Sequence, residues 1–196
     1  MQAFHLFTAD VRGDRRNTVY PRAVEINTLA QLQQAAQYDH VGAAFKDNRR
    51  QNEGFLWADC LIADVDNAAG DVVEPAQIAD DLPDVQHYIL FSRHHLLAKG
   101  TAPAVPRFHV LFPIDRTEDR EQLEGLKRAL CSRFPYYDAA CVDGARFFFG
   151  TECPQGGAVD GLLLWMRYWT LRPKHRQRST QRPPWRLSRR AAETTP

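Results

Sequence analysis

Apolar and polar positions alternate at the start of the chain: Ala3-Phe4-His5-Leu6-Phe7-Thr8-Ala9 has the period of a strand. A turn-rich stretch follows. Thr28 then stands where an N-cap belongs, and Leu29 and Leu32 share the inner side of a helix expected to reach about Tyr38. Val41–Phe45 predicts a short strand and residues 46–54 a polar loop, after which Phe55 to Asp66 is apolar and strand-like. Pro75 suits the first turn of a short helix ending before Pro83. His87–Ser92 and Arg107–Pro113 predict two strands around a loop bearing glycine and proline. Leu123, Leu126, Leu130 and Phe134 fall on one face of a helix over Glu118–Phe134, and Arg146–Gly150 and Leu162–Trp169 are the last strand candidates. Paired strands with few helices between them predict an α+β domain on a mainly antiparallel sheet, not a doubly wound parallel one. There is no internal repeat and no glycine-rich phosphate loop.

Composition refines this picture. The 196 residues, 44% hydrophobic, suffice for one sizeable domain: a body over residues 1–170 and a tail over 171–196. Residues 1–166 carry 16 Lys/Arg against 23 Asp/Glu, whereas residues 167–196 carry nine against the single Glu193. The tail is rich in Arg, Pro, Ser and Thr and is expected to be disordered, its charge attracting phosphate at long range. No apolar run approaches the roughly 20 residues needed to span a bilayer. The N-terminus lacks a secretory pattern, so a cytoplasmic protein without membrane contact is expected. Cys60, Cys131, Cys141 and Cys153 are scattered and fit buried free thiols, with a site built from distant cysteines and histidines left open.

Three segments carry chemistry. In Leu61-Ile62-Ala63-Asp64-Val65-Asp66-Asn67 the period of two sends Asp64 and Asp66 to one side. Two adjacent carboxylates repel unless a cation or a proton intervenes, and their oxygens suit Mg²⁺; the plainer reading is a strand end entering a turn. In Pro106-Arg107-Phe108-His109-Val110-Leu111-Phe112-Pro113 the apolar positions put Arg107 and His109 on the opposite face, as a phosphate holder or simply a solvated face. The third segment runs from Phe134 to Gly150, with Asp138 or Asp143 as a further acid and Arg146 leading Phe147-Phe148-Phe149. Ser92-Arg93-His94-His95 at a strand end is a fair place for triphosphate contacts, and Lys46, Arg49 and Arg50 form a basic cluster suited to template or to water.

Asp-x-Asp at a strand end, a strand bearing x-x-His and a later isolated Asp resemble the three motifs of the archaeo-eukaryotic primase superfamily. The nearer likeness is to the primase region of phage and mobile-element replication proteins, found ahead of helicase domains or in virulence-associated-E-like proteins. It spans roughly residues 20–155 and includes Asp39-His40-Val41, Arg50 through Phe55, Asp59 through Asn67, Ser92-Arg93, Pro106 through Pro113 and Phe134 through Thr151. The resemblance implies a catalytic palm related to the RNA-recognition-motif sheet, joined to a smaller N-terminal α/β unit. It implies that Asp64, Asp66 and Asp138 bind Mg²⁺ or Mn²⁺ and that His109 contacts the incoming nucleotide. Asp138 is preferred to Asp143 because the family's third acid precedes by eight positions an arginine leading an aromatic strand, as Arg146 does. Arg107 departs from the pattern, standing where the second motif begins with a small residue; Ser92 is the candidate replacement for the lost hydroxyl contact.

The expectation is DNA-templated nucleotidyl transfer by two-metal chemistry, a DNA primase or primase-polymerase of phage, plasmid or mobile-element replication. Ser92, Arg93, Arg107, His109 and Arg146 would bind an NTP or dNTP, Lys46, Arg49 and Arg50 a single-stranded DNA template, and a separate replicative helicase is a candidate partner. Two alternatives stand beside it: a non-catalytic nucleic-acid-binding remnant, and a replication-initiator endonuclease using Tyr136 or Tyr137.

Overall fold

The computed structural model describes residues 1–68 and 71–162. The tail, and the strand expected over Leu162–Trp169 apart from Leu162 itself, lie outside the described residues. The elements are β1 (Phe4–Thr8), β2 (Arg22–Ile26), α1 (Leu29–Ala35), β3 (His40–Val41), β4 (Ala44–Phe45) and β5 (Phe55–Val65), then α2 (Pro75–Asp81), β6 (His87–Phe91), β7 (Phe108–Thr117), α3 (Arg120–Arg133), β8 (Phe147–Phe148) and β9 (Gly156–Val159). Two sheets result, ordered β2-β1-β3-β8 and β4-β5-β7-β6-β9, and every pairing between these strands is antiparallel. The chain is an α+β protein.

Local chemistry sets most boundaries. Thr28 caps α1 in a capping box: its hydroxyl accepts from Gln31 N–H, and the Gln31 side chain accepts from Thr28 N–H. The helix stops at Ala35, short of the expected Tyr38, because Gln37 and Tyr38 donate to carbonyls only three residues back and tighten the last turn. Asp119 caps α3 by accepting from Glu121 and Gln122 N–H, and Leu123, Leu126 and Leu130 are its buried face. The single strand expected over Val41–Phe45 is two short strands, β3 in the smaller sheet and β4 in the larger. At the bend, a Cβ on Gly42 would lie 3.2 Å from the Cys60 carbonyl, so the crossing chain passes close against β5.

Alternation along β5 and β7 gives the larger sheet two apolar faces. Leu61, Ala63 and Val65 of β5 and Phe108, Val110 and Phe112 of β7 pack with Ile78 of α2 and Leu123, Leu126 and Leu130 of α3. Cys60, Ile62 and Leu111 face the other way, against Phe4 and Leu6 of β1, Leu32 of α1 and Phe148 of β8. Strand β8, from late in the chain, thus completes the sheet begun by the N-terminal strands. No helix among the described residues is long and apolar enough to cross a membrane.

Candidate metal and nucleotide site

The second face of the larger sheet changes character toward the end of β5. Cys60 and Ile62 are followed on that side by Asp64 and Asp66, and Asp64 pairs directly with His109 of β7. Strand β4 reaches only Phe55 and Trp57, which leaves the far edge of β5 open. That edge is taken by Asp138, whose N–H donates to the Asp64 carbonyl at 2.9 Å. Asp138 sits there because its carboxylate caps the one-turn 3-10 helix Ala139–Cys141, accepting from Ala140 N–H at 2.8 Å. Cys141 at the end of the turn brings its Sγ to 3.7 Å from Asp64 Oδ2 and 3.4 Å from Asp138 Oδ2. Asp138, 74 residues along the chain, therefore meets Asp64, with Asp66 on the same side but its oxygens contacted by Lys99 and Arg107, whereas the carboxylate of Asp143 turns to its own loop and accepts from Ala145 N–H.

Burial, then the charges of Asp66 and Asp138, push the Asp64 carboxyl up to about 6; Arg146 and the Cys141 thiol oppose this. Burial and then Arg146 push the His109 imidazole down to about 4, so it is neutral at physiological pH. Its Nε2 stops 3.6 Å from Asp64 Oδ1, beyond a hydrogen bond, and its buried Nδ1 has no partner. The ring edge meets Phe148, with centroids 4.6 Å apart.

Asp64, Asp66 and His109 line one side of an open cleft of about 340 Å³, together with Arg15, Ser92, Arg93, His94, Lys99, Arg146 and Phe147–Phe149, whereas Asp138 and Cys141 lie outside that lining. Arg93 lies over the Phe149 ring, 3.7 Å from its centroid, at the wall of the cleft. Ser92 Oγ accepts from His94 N–H and holds the turn that follows β6. Arg107 is placed differently. Its guanidinium is buried and donates to the carbonyls of His94, Leu97 and Pro103, while Nε makes a 3.1 Å ion-pair contact, without hydrogen-bond geometry, to Asp66 Oδ1. It holds the 94–103 loop and Asp66, and does not line the cleft. Lys46 and Arg49 are exposed and also lie away from the cleft; Arg50 donates to the Ala145 carbonyl and covers the Phe147 ring.

Lys99, Arg15 and Cys141 join the site without a signal in the sequence. Lys99 Nζ donates to both Asp66 oxygens, at 3.0 and 3.2 Å, from a loop more than thirty residues away. The tyrosines offered for a nicking reaction are not presented to a strand: Tyr137 is buried, and Tyr136 donates to Asp81 Oδ2.

The donor set suits a divalent cation: Asp64, raised by burial and then by its acidic neighbours, meets Asp138, with Asp66 and an imidazole lacking a hydrogen bond on the same side. No family model and no curated protein matches the chain. Among solved structures it is similar to the AEP domain of the cyanophage S-2L primase-polymerase, at 11% identity and a TM-score of 0.49, over 86% of this chain and 87% of that one.

Proposed function

We propose that the chain is a metal-dependent nucleotidyltransferase of the primase-polymerase kind, extending or starting a strand on a single-stranded DNA template from an NTP or dNTP. The observation that carries this reading is the meeting of Asp64 and Asp138 at the end of β5, with Asp66 and His109 on the same side at an arginine-bearing cleft. The three carboxylates would hold Mg²⁺ or Mn²⁺. Such ions supply positive charge to the phosphate undergoing attack and acidify the attacking 3′-hydroxyl.

The chain's own residues divide the rest. Arg93 and Arg146 face the cleft and bind triphosphate oxygens by charge-assisted hydrogen bonds. His109, neutral, donates one hydrogen bond to the nucleotide and adds no charge that would repel the metals. Ser92 contributes a hydroxyl at the cleft wall. Arg107 acts one step removed, holding Asp66 in place. Lys46, Arg49 and Arg50 lie outside the reacting groups and are assigned to template. The setting we infer is cytoplasmic replication of a phage, plasmid or mobile element, with a separate helicase opening the duplex.

The test is incorporation of labelled nucleotides on single-stranded DNA, with and without primer, in Mg²⁺ or Mn²⁺. Asp64→Asn/Asp66→Asn should lower incorporation by about a hundredfold or more; wild-type incorporation by that variant would falsify the proposal.

A further inference from the structure

Cys141 is the member of the acid cluster that phosphoryl transfer does not need. Its sulfur and one carboxylate oxygen each from Asp64 and Asp138 lie within 4.8 Å of one another. A single thiol proton serves one carboxylate well, yet the sulfur stands between two, at 3.7 and 3.4 Å. Around a tetrahedral Zn²⁺, with Zn–S near 2.3 Å and Zn–O near 2.0 Å, sulfur and oxygen ligands are separated by about 3.5 Å. The spacing here matches that shell.

His109 supplies the second, independent sign. Its imidazole side chain is only 9% exposed, its Nδ1 has no partner, and its Nε2 is aimed at Asp64 Oδ1 from 3.6 Å without bonding to it. Nitrogen and oxygen ligands of one Zn²⁺ stand about 3.3–3.5 Å apart. The sulfur and the two carboxylates make the donor set for a thiophilic cation, with the His109 nitrogen at the other oxygen of Asp64 and outside that group of three, whereas Mg²⁺ takes oxygen.

We infer that Asp64, Asp138 and Cys141, with His109 beside them, form a binding site for a thiophilic divalent cation of the Zn²⁺, Co²⁺ or Cd²⁺ class, with the Cys141 sulfur as a ligand. The inference shares its carboxylates with the nucleotidyl-transfer reading and deepens it, because such a cation competes with Mg²⁺ for Asp64 and Asp138. Cys141 binds as the thiolate: the sulfur–hydrogen bond breaks, the proton leaves to solvent, and a sulfur–metal bond forms.

The experiment is titration of the full chain with Cd²⁺, without nucleotide or DNA, following thiolate-to-metal charge-transfer absorption. A saturable band is expected. Cys141→Ser should abolish it, Cys153→Ser, at the exposed cysteine, should leave it, and Asp138→Asn should weaken binding by about tenfold or more. Zinc X-ray absorption of the wild-type chain gives a second readout that needs no variant at buried Cys141, and sulfur in the first shell is expected. No band, a band that survives Cys141→Ser, or a zinc shell of light atoms alone overturns the inference. Nucleotide incorporation separates the two readings. A band without incorporation removes the polymerase and keeps the site; incorporation without a band does the reverse.

Discussion

Asp64 ionises at a cost. Its carboxyl is pushed up to about 6, first by burial and then by Asp66 and Asp138, so above that pH the folded protein holds an unfavourable charge that the unfolded chain does not. The stabilising contribution of a raised carboxyl is present below the unfolded value near 3.8 and is lost as pH rises through about 6. Asp64→Asn should therefore raise the unfolding free energy at pH 7.5 by about 2 kcal/mol, measured by denaturant titration. It should also reduce the thermal stabilisation that added Mn²⁺ gives the wild type. Lys99 makes the matching prediction at Asp66, where its ammonium bridges both oxygens and occupies space a cation would use. The pair is partly exposed and so of modest strength. Lys99→Met should tighten Mn²⁺ binding about twofold to fivefold by calorimetry; unchanged affinity means that Lys99 does not compete.

At the scale of elements, the site depends on β8, a two-residue strand that brings Phe148 against His109. Two neighbours fix it. Asp39 Oδ1 accepts from Gly13 and Gly150 N–H at 2.8 Å each, and a Cβ on Gly150 would lie 2.5 Å from the Tyr38 carbonyl carbon. Gly150→Ala should cost about 1–3 kcal/mol in a denaturation curve and loosen nucleotide binding, because the backbone it strikes cannot yield as a side chain would. How much the sequence discloses also differs by element. Period-two alternation suffices to put β5 and β7 in place and to point Asp64, Asp66 and His109 the same way. It says nothing of β2, an outer strand with one fully buried position, or of β9, half glycine. Arg107 and His109 share a face in the pattern, yet Arg107 lies just before β7 and bends into carbonyls of the 94–103 loop, a contact no local period announces. Cys141 and Lys99 reach the acids through a capped turn and a loop, and only the folded backbone brings them there. The short motif around Asp138 names the acid; the bond from its N–H to the Asp64 carbonyl, across 74 residues, is what delivers it.

For the whole molecule, acid should act through buried histidine. His40, wholly buried, is pushed down to about 4 by burial, above all, and then by His109. A depressed base contributes stability that is complete above the unfolded value near 6.5 and is lost as pH falls toward about 4. That amounts to about 3 kcal/mol between pH 7 and 4. His40→Gln should flatten this arm of the pH–stability curve, while an unchanged slope would assign it to other groups. Charge is also divided along the chain, with an acidic body and nine Lys/Arg against one acid over residues 167–196. Deleting residues 172–196 should weaken single-stranded DNA binding and its salt dependence more than nucleotide binding, as read by fluorescence anisotropy at several ionic strengths.

The direct opposition of Asp64 and His109 across β5 and β7 has one more effect. Were the two strands to misalign by a single position with β5 turned over, Asp64 and Asp66 would swing beneath α2 and α3, into a layer of leucine and phenylalanine. Desolvating two naked carboxylates there is prohibitive, so chemistry proofreads architecture. The same charges that prepare the cleft for its cation disfavour a pairing error that the apolar positions of this ribbon would otherwise tolerate.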